Sequence, residues 1–276
     1  MRGWWREIAG LVLPVACGGC GRPRTALCPR CEAGLAGTGP RRVRPSPEPP
    51  GLPVVHAAAP YEGAVRALLL AHKERGALPL AGALGAALAG AVTAATGPCE
   101  TSGGGPLLLV PVPSSRRSVR ARGHDPTRRI ALAAAARLRR SGRAARVLPV
   151  LRQSRAVADQ AGLGARGRFA NLAGALEVAP AGVRLLDAAA REAGRVVLVD
   201  DLMTTGASLA EAARALGAAL TLVHPLFIPG LPDSAKRRGT EDLFEQPAAA
   251  VVASSPASFE INRNSRGTCI VAGGER

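Results

Sequence analysis

Aromatic side chains are almost missing from this chain: two Trp, one Tyr and four Phe make up 3% of it. Single-stranded nucleic acid is usually gripped by bases stacked on aromatic rings, so an extended stacking platform is excluded. Lysine is scarcer still. Only Lys73 and Lys236 occur, and a formal net charge of +16 is carried almost wholly by arginine. No apolar run approaches the roughly 20 residues that span a bilayer. The stretch from Ile8 to Ala16 is short and broken by Pro14. Arg2, Arg6 and Cys17 around it outline a lipoprotein signal, but Pro14 stands where such a signal needs Leu. With no targeting segment read, the expectation is a cytoplasmic protein with no membrane insertion. No G-x-x-x-x-G-K-[ST] sequence occurs, which excludes a P-loop nucleotidase.

What is present is apolar enough to fold. Hydrophobic residues make up 47% of 276 residues, and the mean hydropathy is +0.12. That length carries one sizeable core plus a small module. The charge is unevenly spread. Between Ser114 and Asn171 there are fifteen Arg, no Lys and two acids, Asp125 and Asp159, which gives 15 − 2 = +13. Such a block attracts polyanions. A GC-rich coding bias would also favour Arg over Lys, but it does not account for the missing acids.

Four of the six cysteines cluster. Cys17-Gly-Gly-Cys20 and Cys28-Pro-Arg-Cys31 form C-x2-C-x7-C-x2-C. Four thiolates on two tight knuckles close a tetrahedron around one zinc ion, and a site of four cysteines leaves no open position, so its role is structural. A cytosolic setting argues against stable disulfides, and one redox C-x-x-C does not explain two. Cys99 and Cys269 have no partner at suitable spacing.

Four segments are expected. Residues 1–36 read as a zinc module with a short apolar helix ahead of it. Residues 37–53 are rich in Pro, Arg and Gly and read as a linker. Residues 54–230 alternate strand and helix patterns, which implies a parallel α/β sheet. Strands are expected at Val54–Tyr61, Leu107–Val112, Val147–Leu151, Val196–Val199 and Leu220–Ile228. Helices are expected at Gly63–His72, Leu78–Ala95, Thr127–Arg140 and Ser208–Leu216. Residues 231–276 lack periodicity, apart from weak strand candidates at Val251-Val252 and Ile270-Val271, and read as a poorly ordered tail.

The richest stretch is Arg195-Val-Val-Leu-Val-Asp-Asp-Leu-Met-Thr-Thr-Gly-Ala-Ser-Leu209. A buried-strand run ends in Asp200 and Asp201. The turn Thr204-Thr205-Gly206-Ala207-Ser208 follows, and a helix opens. A turn and helix start present N–H groups to a phosphate, and Thr204, Thr205 and Ser208 add hydroxyl donors. The carboxylates stand where they accept from sugar hydroxyls or hold a divalent cation. This is the layout of a phosphosugar site. The competing reading is an ordinary strand–turn–helix with a solvated acidic turn. Upstream, Val110-Pro-Val-Pro113 breaks into a basic loop with Arg116, Arg117, Arg120 and Arg122. Guanidinium forks suit a pyrophosphate, although a solvated linker would look the same. Lys73, near Tyr61 and Gly76, reaches a phosphate or snorkels at the surface.

The stretch around Asp200 resembles the diphosphoribose (PRPP) signature of type I phosphoribosyltransferases. Over roughly residues 11–228 the chain is similar to the ComF family, the phosphoribosyltransferase-like competence proteins. The resemblance rests on the four N-terminal cysteines, Tyr61 with Lys73 and Gly76, Val110-Pro-Val-Pro113 and Arg122-Gly123. It continues through Leu151-Arg152, Gln160, Arg168-x-x-Asn171 and Val199-Asp-Asp-Leu-Met-Thr-Thr-Gly206. Where the family continues Arg-Gly with Phe-Asn-Gln, this chain has His124-Asp125-Pro126. The resemblance implies a type I phosphoribosyltransferase domain behind a zinc module and PRPP bound with Mg²⁺. Asp200 and Asp201 would act on the ribose, the 204–208 turn on the 5-phosphate, and arginines 116–122 on the departing pyrophosphate. It also implies a link to DNA uptake beside a competence helicase. The alternative is a non-catalytic accessory protein that holds single-stranded DNA. A third view makes the zinc module a docking surface for another protein.

Overall fold

The structure is a computed structural model that describes residues 16–97, 105–155, 165–192, 194–223 and 247–259. In chain order its elements are α1 (Pro29–Ala36), β1 (Arg41–Val43), β2 (Val55–Pro60), α2 (Gly63–Glu74), a 3₁₀ turn (Leu78–Leu80), α3 (Ala81–Thr96) and β3 (Leu107–Pro111). They continue as α4 (Arg116–Arg122), α5 (Pro126–Arg140), β4 (Ala145–Val147), β5 (Leu151–Gln153), α6 (Ala165–Leu172), β6 (Leu176–Val178) and α7 (Pro180–Arg191). The last are β7 (Arg195–Met203), α8 (Ala207–Val223) and β8 (Ala248–Ser254).

Among the described residues, six strands form one sheet in the order β1-β2-β8-β7-β3-β4. All neighbours pair in parallel except β1, which lies antiparallel on β2. A parallel sheet covered on both faces calls for strands apolar on both sides, and β3 is buried at every position. In β7, Val197 and Val199 pack with Leu84 and Leu88 of α3 and Ile130 of α5. Val196 and Leu198 pack with Leu209 and Leu216 of α8. The expected α/β class therefore holds: a mostly parallel sheet between helices.

Four expectations change. The segment 37–53 is no free linker: β1 lies within it, and Val43 and Leu52 are buried. The cysteine knuckles are not an independent module, because Cys17, Cys28, Cys31 and Leu35 share one core with Leu68 and Leu80. The region 231–276 supplies β8, which sits between β2 and β7 and is buried from Ala249 to Ser254. The strand candidate Val251-Val252 lies at the centre of β8; the flanking alanines favour helix by propensity, yet Ala is small enough for a strand with helices packed over it. Finally, Leu220 to Val223 belong to α8, whose buried Leu209, Ala212, Leu216 and Ala219 follow helical spacing.

Val147–Leu151 divides at Pro149 into β4 and β5, the second pairing with β6 in a separate antiparallel ribbon. Against the expectation that no apolar run approaches a bilayer's span, Leu78–Thr96 is the one helix among the described residues long and apolar enough to cross a membrane. Here Leu84, Leu88, Ala91 and Val92 are buried in the sheet's core. The apolar segment ahead of Ala16, the residues 224–246 and Ile270-Val271, as well as Cys99, Gln160 and Cys269, lie outside the described residues.

Candidate functional site

The acidic pair sits inside the last turns of β7, not after it. Asp200 stands opposite Val251 of β8, at the carboxyl end where open parallel sheets place their ligands. The two carboxylates face different partners. Asp201 is 4% exposed and receives Lys73 Nζ on both oxygens, at 2.8 and 3.2 Å. Asp200 Oδ1 accepts from the Asp201 N–H at 2.8 Å and from Thr127 Oγ1 of α5 at 3.3 Å. Burial, and then the neighbouring Asp201 charge, raise the Asp200 carboxyl well above the ordinary carboxylate range, against the pull of Lys73. Burial opposes the Lys73 charge, but Asp201 and then Asp200 outweigh it and raise the ammonium's pKa. One half-buried cation, Lys73, thus bonds Asp201 and also offsets the charge of the neighbouring Asp200.

Past Met203 the chain turns into α8. Gly206 lies at φ +77° and is buried. A Cβ there would meet Leu52 Cδ1 and Cδ2 at 3.0 Å and Pro45 Cγ at 3.4 Å, so only glycine fits beneath this segment. The segment Pro45–Leu52 therefore lies as a strap across the turn. The backbone from 202 to 209, with Asp200, lines a small concavity of about 30 Å³. The first N–H groups of a helix have no partner within it; here they open beside the hydroxyls of Thr204, Thr205 and Ser208. The Thr205 hydroxyl takes the Ala207 N–H at 3.5 Å.

The arginines are distributed differently from the sequence expectation. Residues 116–122 form α4, a short helix capped by Ser115 Oγ, which accepts the Ser118 N–H, and closed by Gly123 in the left-handed region. Arg116, Arg117 and Arg120 are exposed. Arg122 is clasped by Glu74 through Nε and Nη2 at 2.9 and 2.7 Å. With Lys73 held by Asp201, the cation at the turn is one the site assignment passed over. Arg168 of α6 places Nη1 3.3 Å from Thr204 Oγ1, and its Nε is buried with no hydrogen-bond partner. The signal was present in the Arg168-x-x-Asn171 spacing, but spacing alone did not show which group the arginine meets.

His124-Asp125-Pro126 serve a local purpose. The Asp125 carboxylate accepts the Arg128 N–H and Pro126 takes the first helical position, which together start α5. The His124 ring nitrogens lie 3.1 Å from the Arg122 carbonyl and 3.3 Å from the His72 carbonyl, which ties the end of α4 to α2.

The four cysteine Sγ atoms all lie within 4.8 Å of one another, and the group can hold a metal ion such as zinc. Tetrahedral Zn–S bonds of ~2.3 Å put the sulfurs about 3.8 Å apart, and Cys20 and Cys28 are 3.6 Å apart. Burial opposes ionisation of Cys17, but the N–H groups of Cys20, Cys28 and Gly19 overcome it and bring the thiol to about 6. Burial, with the other thiols, pushes Cys31 up. Four sulfurs this close need a cation among them to ionise together. A Cβ on Gly19 would lie 2.7 Å from Cys31 Sγ and 3.4 Å from Leu68 of α2, so the first knuckle fits tightly between ligand and helix.

Searches find no protein-family model and no curated protein that match the chain.

Proposed function

We propose that the protein binds a phosphorylated ribose, with diphosphoribose as the substrate class, and carries structural zinc in its four-cysteine site. One observation carries the reading: a carboxyl pair, Asp201 buried on Lys73 beside a half-buried Asp200, ends a parallel strand at a glycine turn rich in hydroxyls and N–H groups. The 5-phosphate rests on the 204–208 turn and is met by Arg168. Asp200 accepts from the ribose hydroxyls, while Asp201 orients Lys73 and keeps its charge near the sugar. A Mg²⁺ ion held by Asp200 would supply positive charge beside the carboxyl pair and would balance the pyrophosphate. In transfer, the C1–O bond to pyrophosphate breaks as a nucleophile bonds C1. The carboxylates stabilise positive charge developing on the sugar, and the exposed Arg116, Arg117 and Arg120 are the arginines open to the leaving anion. On this reading the protein is a ComF-like phosphoribosyltransferase, linked to DNA uptake and working in the cytoplasm.

Titration calorimetry with diphosphoribose, with and without Mg²⁺, tests the reading. Mg²⁺-dependent binding that Asp200→Asn abolishes supports it. Absence of binding by the folded, metal-loaded protein overturns it. A second reading has its own observation. Arg116, Arg117, Arg120, Arg128 and Arg129 are all exposed on the adjoining α4 and α5, a basic face suited to a nucleic-acid backbone in a non-catalytic accessory of transformation.

A further inference from the structure

The four cysteines differ in how far they are open to solvent. Cys17, Cys28 and Cys31 are 3%, 1% and 2% exposed, whereas Cys20 is open. The next residue, Gly21, stands at φ +77°, and a Cβ there would meet no atom within 4 Å, so this corner of the first knuckle is bare. Cys20 Sγ is also 3.6 Å from Cys28 Sγ on the opposite knuckle. An accessible thiolate beside a second one is what oxidants reach first and what closes into a disulfide. The first knuckle also touches α2. A Cβ on Gly18 would lie 3.3 Å from Ala71 Cβ and 2.9 Å from Leu80 Cδ1, just past that helix. The three residues after Ala71 each hold another part of the molecule. The His72 carbonyl lies 3.3 Å from His124 Nε2, Lys73 donates to Asp201 at 2.8 Å, and Glu74 accepts from Arg122 at 2.7 Å. One helix therefore rests on the cysteine knuckle and anchors both α4 and the acidic pair.

We propose that Cys20 is an oxidation site, at which a hydroperoxide links it to Cys28, frees the metal and loosens the end of α2 that carries Lys73. Cys20 Sγ attacks one peroxide oxygen and the O–O bond breaks. A sulfenic acid forms, and the departing oxygen takes a proton to become water, or an alcohol from an alkyl hydroperoxide. Cys28 Sγ then attacks Cys20 Sγ, closing from 3.6 Å to the ~2.05 Å of an S–S bond. The S–O bond breaks, and its oxygen leaves as water with a second proton. Two thiolates have given up two electrons, and the peroxide has been reduced. Cys17 and Cys31 remain, too few to fill a tetrahedral site. In a reducing compartment such a bond is transient, which suits a signal rather than a staple. The switch rests on the zinc reading of the four sulfurs and is independent of the phosphate reading of the turn.

The test exposes the full-length, zinc-loaded protein carrying Cys99→Ser and Cys269→Ser to hydrogen peroxide. A chromogenic chelator reads released zinc, and fragmentation of tryptic peptides reads the linkage. About one zinc ion per chain should leave in step with a Cys20–Cys28 bond, and a thiol reductant with added zinc should restore the starting state. Dimedone, which traps sulfenic acids, should label Cys20 before any other cysteine. Amide hydrogen exchange over the last turn of α2 should quicken roughly tenfold or more on oxidation and return on reduction. Zinc retained under peroxide, a first label on a buried cysteine, or a first bond within one knuckle (Cys17–Cys20 or Cys28–Cys31) overturns the proposal. Zinc that leaves while α2 exchanges as before overturns the link to Lys73. A chain purified under reducing conditions without zinc removes the metal reading and the switch together. Diphosphoribose that binds neither the reduced nor the oxidised form removes the phosphate reading alone, because zinc release and hydrogen exchange still decide the switch.

Discussion

At the scale of single residues, the acidic pair divides its work. Asp201 is buried with Lys73, so truncating the lysine strands a charge. Lys73→Met should cost about 2 kcal/mol by urea denaturation, less than a fully buried pair because Lys73 keeps 33% of its side chain exposed. Lys73→Met with Asp201→Leu should recover most of it. Since the folded-state pKa of Lys73 is raised, its contribution is complete below the unfolded lysine value of about 10.4 and is lost as pH rises through the higher folded value. Asp200 runs in the same direction, the reverse of an ordinary paired carboxylate. Its pKa is raised by folding, so the wild type is least penalised below about pH 4 and loses stability as pH climbs through the raised value. Asp200→Asn should therefore show a higher urea midpoint at pH 7, with the difference closing towards acid, even as Mg²⁺-dependent binding disappears. A wild-type midpoint equal to the variant's at both pH values would contradict this. The sequence made Asp200, Asp201 and the Thr-Thr-Gly turn visible because they are contiguous. It did not show that Lys73 belongs to Asp201, 128 residues away, or that Arg168 meets Thr204. Pairings across elements depend on packing that no local pattern encodes.

At the scale of elements, the longer helices with an apolar face were legible and the short pieces were not. α5, expected from Thr127, starts one residue earlier at Pro126, after the Asp125 cap, whereas α4 hides in a run of arginines whose helix depends on the Ser115 cap and Gly123. The 37–53 strap looked like a linker because Pro and Gly dominate it, yet Leu52 and Pro45 lock onto Gly206. The knuckles behave likewise. With Cys17, Cys28 and Cys31 in the same core as Leu68 and Leu80, losing the metal should loosen α2 as well as the first residues. Cys28→Ser should release zinc on metal analysis. It should also lower the thermal midpoint of the whole domain by several degrees, because structural zinc contributes folding free energy. Hydrogen exchange that quickens in α1 alone would show the knuckles to be energetically separate.

At the scale of the molecule, charge and topology set the constraints. A net charge of +16 guarantees attraction to polyanions, so only its salt dependence is informative. Changing Arg116, Arg117, Arg120, Arg128 and Arg129 to Gln should flatten the slope of log affinity for single-stranded DNA against log salt if this face is the contact. An unchanged slope would move that contact elsewhere. The alternation of strand and helix announced the α/β class, but of β8, in the middle of the sheet, only Val251-Val252 stood out among the alanines. Among the described residues, β2 and β7 are joined only through β8, so there β1 and β2 gain their hydrogen-bonded connection to the rest of the sheet from residues 248–254. During synthesis, then, β2 emerges early and waits with an open edge through nearly two hundred further residues. A sheet assembled in this order folds late and slowly. A nascent chain thus carries a strand edge that invites self-association, and a product cut short before Ala248 lacks the strand that covers it.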